Sequence, residues 1–311
     1  MHNGVGFRKE KNKERKAWRV TVGGRRIFDV IVSIMRFPHM SNPLVSIITV
    51  TYNAEKYVEQ TIKSVAAQSY KNIEYIIIDG LSTDGTADII QRYRQHITHF
   101  VSESDNGIYD AMNKGLQKAT GELTGIINAS DFYEPNAVEA VVSAYLQNRD
   151  AGIFYGNINM LNENGSFFKL KKPITNLENL SKGMSLYHPA LFAAKSVYEK
   201  YGLYDLQYKI ASDFDFTIRC YLAGVKFIYI DSVISNFRKG GISSKREKAA
   251  HLECKNVLTR NGYPETTVNK AAKEWERLRK KNNAYYESYK ILKCILPASF
   301  IDRIAARVSV K

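Results

Sequence analysis

The sequence predicts an α/β fold built on a mostly parallel central sheet flanked by helices. Three apolar, β-rich runs each lead to polar residues, and segments of helical character separate them. The runs are Val45–Val50 before Thr51, Tyr52 and Asn53, Ile73–Ile78 before Asp79, and Leu123–Ile127 before Asn128 and Asp131; the helical segments are 55–68, 84–95 and 110–119. This alternation implies parallel strands joined by right-handed crossovers. In such sheets ligands bind beyond the carboxyl ends of the strands, where these polar residues fall.

The second half of the chain predicts shorter and more varied elements. Periodicity and turn residues give, in order, helix 136–147, strand 152–161, turn 162–165, strand 166–170, an irregular stretch 171–183, helix 190–201, helix 213–223, strand 225–230, a Gly-rich basic loop 238–244, and then helices. Ser212 precedes the third of these helices and is expected to cap it, and Gly224 is expected to end it.

Four stretches resemble the family 2 glycosyltransferases of the glycosyltransferase-A fold. They read SIITVTYNAEKYVEQTIKSVAAQSYKNIEYIIIDGLSTDGT, SESDNGIYDAMNKGLQKATGE, IINASDFYEPNAV and IASDFDFTIR. They come in the order typical of that family and extend over about Pro43 to Ser244, and the similarity is greatest to enzymes that build bacterial surface polysaccharide. The resemblance implies a glycosyltransferase-A type, Rossmann-like sandwich, and the periodicity adds a helical C-terminal extension.

Donor-binding candidates lie at the ends of the first two strands. Tyr52 can stack on a base, and the Asn53 amide can bond a base edge or a ribose, although spacing alone favours Asn53 as the cap of the helix near Glu55. A carboxylate at the position of Asp79 suits accepting a hydrogen bond from a uracil N–H or a ribose hydroxyl, whereas Asp84 is placed to cap the next helix. The resemblance implies that the donor nucleotide binds here and that Asp79 holds its nucleoside.

Further donor contacts are expected on either side of these residues. Thr51 ends the first strand, and the helical segment 107–121 carries Asn113 and Lys114, which are expected to face the donor's sugar or phosphates. An ordinary surface helix is an equally good interpretation of that segment. No GxGxxG follows the first strand, which counts against a dinucleotide enzyme.

A metal site is expected after the third strand. The family usually carries two acids close together here, whereas Asn128-Ala129-Ser130-Asp131 keeps only the last. A nucleoside diphosphate leaving group develops negative charge, which Mg²⁺ or Mn²⁺ neutralises. Because phosphate oxygens and water complete the shell of such an ion, one carboxylate suffices, and Asp131 is the candidate ligand. Ser130 remains a donor-side contact that argues against tight metal binding, and the alternative for Asp131 is a turn cap before Pro135.

The general base is sought in the segment 210–216. Asp213 and Asp215 are two residues apart and point in different directions on a helix. The resemblance matches Asp213 to the family's catalytic acid residue, while a first-turn carboxylate that stabilises the helix dipole is the alternative. Asp215 is expected to form a surface pair with Arg219. The resemblance also implies an acceptor-side role for His188, and Arg238 begins a basic loop expected to close on diphosphate.

The net charge of +14 belongs to the two ends of the chain. Residues 1–26 have nine basic and two acidic side chains, residues 270–311 have eleven and four, and residues 27–269 have 25 of each. No zinc-finger, homeodomain or basic-zipper pattern accompanies this charge, so no nucleic-acid partner is expected. Apolar faces beside basic residues in 25–37 and 289–308 are typical of interfacial helices. Peripheral membrane contact is therefore one hypothesis, and solvated tails or packing on the core are the alternatives.

The expected organisation is a basic tail with an amphipathic helix over 1–42, a glycosyltransferase domain over 43–262 with its nucleotide-sugar half at 43–135 and its acceptor half at 136–262, and a basic helical extension over 263–311. The sequence contains no run of 18 apolar residues, so we expect no transmembrane helix. Cys220, Cys254 and Cys294 show no metal-binding spacing and fit a reducing cytoplasm. We expect a cytoplasmic protein, peripheral at the inner face of the plasma membrane if its ends bind lipid.

The expected function is transfer of a sugar, with inversion, from a nucleotide sugar to a hydroxyl of a saccharide or lipid-linked saccharide in cell-surface polysaccharide synthesis. UDP is the nucleotide expected from the resemblance. Two alternatives stay open, a catalytically inactive nucleotide-sugar-binding relative and a nucleotidyltransferase. The second would normally carry a Gly-rich basic phosphate loop where this chain has Thr51–Ala54.

Overall fold

The computed structural model describes residues 42–183, 185–241 and 246–295, with side chains described as far as residue 280, and three short strands nearer the N-terminus. The chain divides into two compact units, Met1–Asn42 and Pro43–Lys311. In the first unit, strands β1 (Val5–Arg8), β2 (Arg19–Val22) and β3 (Arg25–Arg26) pair antiparallel in that order.

The sequence did not predict these three strands. The amphipathic helix expected over 25–37 is wrong at its first two residues, Arg25 and Arg26, which form β3 and pair with β2. The remainder of that helix falls in 27–41, outside the described residues.

The second unit is built on a nine-stranded sheet that confirms the predicted mostly parallel α/β architecture. Its strands are β4 (Val45–Thr51), β5 (Ile73–Asp79), β6 (His99–Ser102), β7 (Leu123–Asn128), β8 (Phe132–Tyr133), β9 (Ile153–Leu161), β10 (Phe167–Lys171), β11 (Leu191–Ala194) and β12 (Phe227–Arg238). The order is β6-β5-β4-β7-β11-β9-β12-β8, and β10 pairs with β9. Strands β4, β5, β6, β7, β9 and β12 share one direction, so their carboxyl ends meet at one edge.

Helices cover the sheet. In chain order they are α1 (Val58–Ala66), α2 (Thr86–Arg92), α3 (Ile108–Lys118), α4 (Ala137–Gln147), α5 (Lys195–Tyr201), α6 (Ser212–Leu222), α7 (Glu247–Arg260) and α8 (Glu265–Ile295). All seven residues of β4 are buried, because this strand lies inside the sheet with both faces covered. This double burial explains why the central strands appear in the sequence as continuous apolar runs.

The predicted helix over 190–201 is wrong in its first part. Leu191–Ala194 forms the antiparallel strand β11 between β7 and β9, and the helix begins only at Lys195. The Phe192 ring fills the space beside Gly125, where a Cβ atom would lie 2.4 Å from it. Pairing on both sides and complete burial of this strand therefore override its helix propensity.

Strand β12 extends well beyond the predicted 225–230. It runs to Arg238, and its register shifts between Ile230 and Val233 and again between Val233 and Ser235. These irregularities accommodate the exposed Asp231. Because Asp231 is polar, the sequence pattern predicted that the strand ends at residue 230. The extra length delivers Arg238 to the turn that follows β7.

Candidate active site

Residue Asn53 joins the ends of the first two parallel strands. It has a positive φ of 47°, a conformation that Asn tolerates better than most residues. Its N–H donates to Ser82 Oγ at 2.8 Å, and its Oδ1 accepts from the Thr83 N–H at 2.9 Å. Because α1 begins at Val58, the predicted capping role of Asn53 is wrong. Asn53 instead fixes the loop after β5 against the end of β4.

The aromatic ring beside Asn53 lies open to solvent. Tyr52 is 64% exposed, whereas Thr51 is buried and its hydroxyl has no hydrogen-bond partner among the described residues. At Gly80 a Cβ atom would lie 2.5 Å from Asp105 Oδ2 and 3.4 Å from the Tyr52 ring. The absence of a side chain at Gly80 therefore lets the Asp105 carboxylate and the Tyr52 face border the same patch of backbone.

Asp79 is fully buried and already holds three hydrogen-bond donors. Its Oδ1 accepts from Ser82 Oγ at 2.5 Å, and its Oδ2 accepts from the Ser82 N–H at 3.0 Å and from Ser102 Oγ at 2.6 Å. A carboxylate has about four acceptor positions, so one remains. The following Leu81 adopts φ 63° although it is not glycine, and such strain clusters at functional loops.

Asp84 bonds the start of α2, as its position predicts. Its Oδ1 accepts from the Thr86 N–H at 3.0 Å, and its Oδ2 accepts from the Glu55 N–H at 3.1 Å. The Thr86 hydroxyl, which also donates to this carboxylate, lowers the pKa of Asp84. Asp84 thus acts on the loop itself.

The two candidates on α3 have protein partners. Asn113 is buried, donates to the Tyr204 carbonyl at 2.8 Å and accepts from the Tyr204 N–H at 3.0 Å. Lys114 donates to the Ser104 carbonyl at 2.7 Å and pairs with Glu103 at 2.9 Å. Asn113 therefore positions the segment before α6, and the donor contacts of both residues stay predictions.

The turn after β7 contains a carboxylate that is poorly satisfied. Asp131 is 1% exposed; its Oδ1 accepts from the Arg238 N–H at 2.9 Å, and its Oδ2 has no partner among the described residues. Burial raises the pKa of Asp131 to about 7, against the lowering effects of Arg238 and Ser130. Thr61 Oγ1 donates to the Asp131 carbonyl at 2.6 Å and anchors the turn to α1.

Arg238 holds this turn from the other side. Its guanidinium donates to the Glu163 carbonyl at 3.2 Å, to Gln60 Oε1 at 3.0 Å and to the Ser130 carbonyl at 3.4 Å, and it stacks on Tyr57 at 4.9 Å. The side chain is buried. These contacts make Arg238 a clamp on the Asp131 turn, and its predicted contact to phosphate stays a prediction.

The turn after β7 fits the ligand requirements of a hard divalent cation. Asn128 Oδ1 and Asp131 Oδ2, three residues apart, are both buried and have no hydrogen-bond partner among the described residues. Carboxylate and amide oxygens suit Mg²⁺ and Mn²⁺. In the part of the chain that the structure describes, no group of three His, Cys, Asp or Glu side chains is arranged to hold a metal. An ion here would therefore need phosphate oxygens and water to complete its shell.

Asp213 lies in the first turn of α6 and is partly exposed. Its Oδ1 is 2.9 Å from the Tyr109 hydroxyl and accepts from the Phe214 N–H at 2.9 Å, while no hydrogen bond to Oδ2 is found among the described residues. Burial raises the pKa of Asp213, against the lowering effects of His188 and Tyr109. The geometry therefore leaves one carboxylate oxygen without a protein partner, on a group of raised basicity.

Among its neighbours, His188 has the largest effect on the pKa of Asp213. Burial lowers the pKa of His188, and the Asp213 charge acts in the opposite direction. Its Nε2 is buried without a hydrogen-bond partner among the described residues. The structure thus brings His188 and Asp213, which are 25 positions apart, into one site.

Backbone groups before α6 are held by a residue that sequence reasoning missed. The Glu253 carboxylate of α7 accepts from the N–H groups of Lys209, Ile210 and Ala211 at 2.8–3.1 Å. The predicted cap at Ser212 is wrong, because α6 begins at Ser212 itself and its hydroxyl has no partner among the described residues. Glu253 replaces it from a distant part of the chain.

Tyr109 is the second missed residue. Its hydroxyl lies 2.7 Å from the Ile210 carbonyl oxygen and 2.9 Å from Asp213 Oδ1, and its one proton serves one of them at a time. Its place on the buried face of α3, three residues before Met112, is the signal that marks it as inward-facing. Nothing in the sequence marks its partner.

Asp215 is not the surface residue that the sequence predicts. It is 4% exposed and pairs with Arg219 Nε at 2.7 Å, while Asn261 donates to its other oxygen at 3.1 Å. Arg219 also donates to the carbonyls of Tyr201, the last residue of α5, and of Leu203 beyond it. The pair is a buried structural link between helices.

Comparisons with known proteins agree with this architecture. The family model described as Glycosyl transferase family 2 matches residues 46–202. A curated relative, the PGL/p-HBAD biosynthesis glycosyltransferase of Mycobacterium bovis, is 28% identical over 215 residues, 66% of this chain and 81% of its own length.

Two solved structures show the same fold. S. aureus TarS 1-349 in complex with UDP-GlcNAc has a TM-score of 0.56 and 20% identity, covering 74% of this chain and 71% of that chain. The mannosyltransferase PcManGT from Pyrobaculum calidifontis, with GDP-Man and Mn²⁺, has a TM-score of 0.56 and 18% identity, covering 86% and 81%. The chain spans 42% of a longer TarS structure. From its matching family model and its sheet, this chain belongs to glycosyl transferase family 2 and is a glycosyltransferase of the glycosyltransferase-A fold.

Proposed function

We propose that this glycosyltransferase moves a sugar, with inversion, from a UDP-sugar to a hydroxyl of a saccharide or lipid-linked saccharide in cell-surface polysaccharide synthesis. The observation that carries the proposal is the state of Asp213, a partly exposed carboxylate of raised pKa. One of its oxygens accepts no hydrogen bond from the residues that the structure describes. The UDP-GlcNAc of the TarS structure and the biosynthetic name of the mycobacterial relative support the choice of donor and pathway.

The donor nucleoside would bind between β4 and β5. Tyr52 offers an exposed ring for stacking on the base, and Asp79 retains one acceptor position for a base N–H or a ribose hydroxyl. Asn53 and Ser82 keep the two strand ends in register, so the Tyr52 ring and the Asp79 carboxylate are held in place before the donor arrives.

Asp131 and Asn128 are the residues that would hold a divalent cation, through the two buried oxygens for which the described part of the chain offers no partner. Mg²⁺ or Mn²⁺ bound there would neutralise charge on the leaving diphosphate. PcManGT was solved with Mn²⁺ and GDP-Man, which supports the metal assignment. The backbone N–H of Arg238 bonds only Oδ1 of Asp131, and Oδ2 has no hydrogen-bond partner among the described residues.

Asp213 would accept the proton of the attacking hydroxyl. A single base on the face opposite the leaving group gives inversion, and such a base contributes about 10²–10⁴-fold. Burial raises the pKa of this carboxyl, which strengthens it as a base, and Tyr109 orients it. His188 lies beside it and is proposed to contact the acceptor.

The proposal includes location at the cytoplasmic face of a membrane through the basic ends. Among the described residues, no helix combines the length and apolar character needed to cross a bilayer. The C-terminal basic segment begins in α8, and its apolar face over 289–308 lies partly beyond residue 295, outside the described residues. Co-sedimentation with anionic vesicles at low salt checks this part, and its absence would remove it.

The test of the proposed donor is thermal unfolding of the full chain against UDP, GDP and TDP, each with and without Mn²⁺. A ligand at a hundredfold excess over Kd stabilises the native state by about 2.7 kcal/mol. We expect stabilisation by UDP that grows with Mn²⁺. A shift without metal dependence would remove the metal role of Asp131, and no shift with any nucleotide would contradict the proposed donor site.

A further inference from the structure

Three lysines gather around the carboxyl end of β9. Lys169 and Lys171 lie two residues apart on β10, which pairs with one edge of β9. Lys239 directly follows β12, which pairs with the other edge of β9. The Lys239 N–H donates to the Leu161 carbonyl at 3.0 Å, which fixes its backbone at the strand end. We call these three residues the lysine cluster.

Two of the ammonium groups make cation–π contacts with the same aromatic ring, that of Phe168. Lys239 Nζ lies 2.9 Å from the centroid of Phe168, and Lys169 Nζ lies 5.9 Å from the same centroid. The negative face of a ring attracts cations, so Phe168 helps to hold charges that repel each other. A register shift between Phe167 and Lys169 turns the strand so that this ring and its neighbours meet.

The lysine cluster has no acidic partner in the part of the chain that the structure describes. Lys172, the next residue, pairs with Asp231 at 3.0 Å, but none of the three clustered lysines forms an ion pair. Burial and the neighbouring lysines lower the pKa of Lys239 to about 8 and also lower that of Lys171. All three are half-buried. Like charges that are close together and partly removed from water repel each other, which is unfavourable. A bound anion would compensate this repulsion.

We propose that Lys169, Lys171 and Lys239 form a binding site for a phosphate or diphosphate group. Three ammonium groups supply the charge and the donors that a compact, multiply charged oxyanion requires. Lys239 directly follows Arg238, whose N–H bonds the carboxylate of Asp131. The N–H of Lys239 instead bonds Leu161 of β9, so consecutive residues of the chain link the turn assigned to the leaving diphosphate to the lysine cluster. The ligand is the donor's own diphosphate or a phosphate on the acceptor, and that choice rests on the proposed function.

The first test is calorimetric titration of the full chain with inorganic pyrophosphate, in EDTA and about 0.15 M salt. The salt screens charges beyond about 8 Å and so suppresses the basic ends. We expect Lys171→Met and Lys239→Met each to weaken pyrophosphate binding by about tenfold. Lys172→Met is the matched control, since that exposed lysine is already paired, and its affinity should stay within about twofold of the wild type.

Stability of the variants is monitored by their unfolding temperatures. Methionine keeps the apolar stem and removes a repelling charge, so we expect the unfolding temperature to stay equal or rise. If a Met variant unfolds early, the Gln variant at the same position replaces it. Wild-type binding that none of the cluster variants changes, or no measurable binding by the wild type, would overturn the proposal.

A second titration, with UDP and Mn²⁺, distinguishes the two sources of phosphate. If the cluster variants weaken UDP binding as much as pyrophosphate binding, the ligand of the lysine cluster is the donor's diphosphate. Unchanged UDP binding beside weakened pyrophosphate binding would assign a phosphate on the acceptor. A wild-type protein that binds pyrophosphate at the lysine cluster but no nucleoside diphosphate would remove the proposed function and leave the anion site standing.

Discussion

Two buried carboxylates lie at the carboxyl ends of β5 and β7, the strands on either side of β4, yet their surroundings differ. In the loop after β5, Asp79 accepts three hydrogen bonds from Ser82 and Ser102. In the turn after β7, Asp131 accepts one, and its second oxygen is buried without a partner among the described residues. Asp79 thus has three of its about four acceptor positions filled, whereas Asp131 has one.

The contrast teaches how to read a buried acid. A buried carboxylate that accepts several hydrogen bonds stabilises its loop, because these fixed donors offset the cost of its desolvation. A carboxylate left partly unsatisfied destabilises the fold and persists where function requires it. Asp215 and Asp213 repeat the contrast on one helix, since Asp215 is paired with Arg219 while Asp213 keeps a free oxygen.

The largest expected effect distinguishes the two acids of α6. Asp213→Asn should lower kcat by about 10²–10⁴-fold while donor affinity is kept, because only the proton acceptor is removed. Asp215→Asn should instead lower the free energy of unfolding, since it leaves Arg219 without its buried partner. Steady-state kinetics with the donor identified by unfolding checks the first variant, and urea titration checks the second. Near-normal turnover by Asp213→Asn would refute the base assignment.

The next effect compares the two strand ends by stability. Asp79→Ala should lower the free energy of unfolding by about 2–3 kcal/mol, because Ser82 and Ser102 lose their acceptor. Asp131→Asn should leave it unchanged or raise it, because a poorly satisfied buried charge is removed. Both are measured by urea titration at pH 8 in EDTA. Equal destabilisation of the two variants would break the comparison.

A smaller effect concerns ligand-linked stability at Asp131. In wild type, adding Mn²⁺ to saturating UDP should raise the unfolding free energy by about 1–2 kcal/mol beyond UDP alone. Asp131→Asn should lose this Mn²⁺ increment and keep the UDP effect, since the proposed nucleoside contact is at Asp79. Loss of both effects would mean that the turn after β7 also holds the nucleoside.

Sequence patterns predicted the elements that are determined by residues close together along the chain. The apolar runs that become β4, β5 and β7 are buried on both faces, so their pattern is strong, and the polar residues that end them follow directly. Asp79 and Asp131 became candidates in this way, whereas Asp213 became one through the family resemblance, which also implied the roles of all three. The strand β11 was missed because pairing between β7 and β9, not its own sequence, makes it a strand.

Contacts between distant segments explain the remaining misses. Glu253 lies more than 40 residues from the backbone groups that it binds, and Tyr109 is 104 residues from Asp213. Asp215 appears in the sequence as half of an exposed helix pair, yet α7 and the residues after it cover it through Asn261. Helical spacing predicts which residues meet on one helix, but not what packs over them.

The smallest expected effect tests how Tyr109 supports the base. Removing its hydroxyl in Tyr109→Phe takes a donor from the ionised Asp213, whose pKa burial has already raised, so that pKa should rise further. Since the base must be ionised, activity increases with pH, and the acidic limb of kcat/KM should move to higher pH, with turnover on the plateau reduced by less than about tenfold. Tyr93→Phe is the matched control, because Tyr93 donates to a surface carboxylate, Glu59, at 2.5 Å. An acidic limb that stays at the wild-type position in Tyr109→Phe would show that Tyr109 only packs.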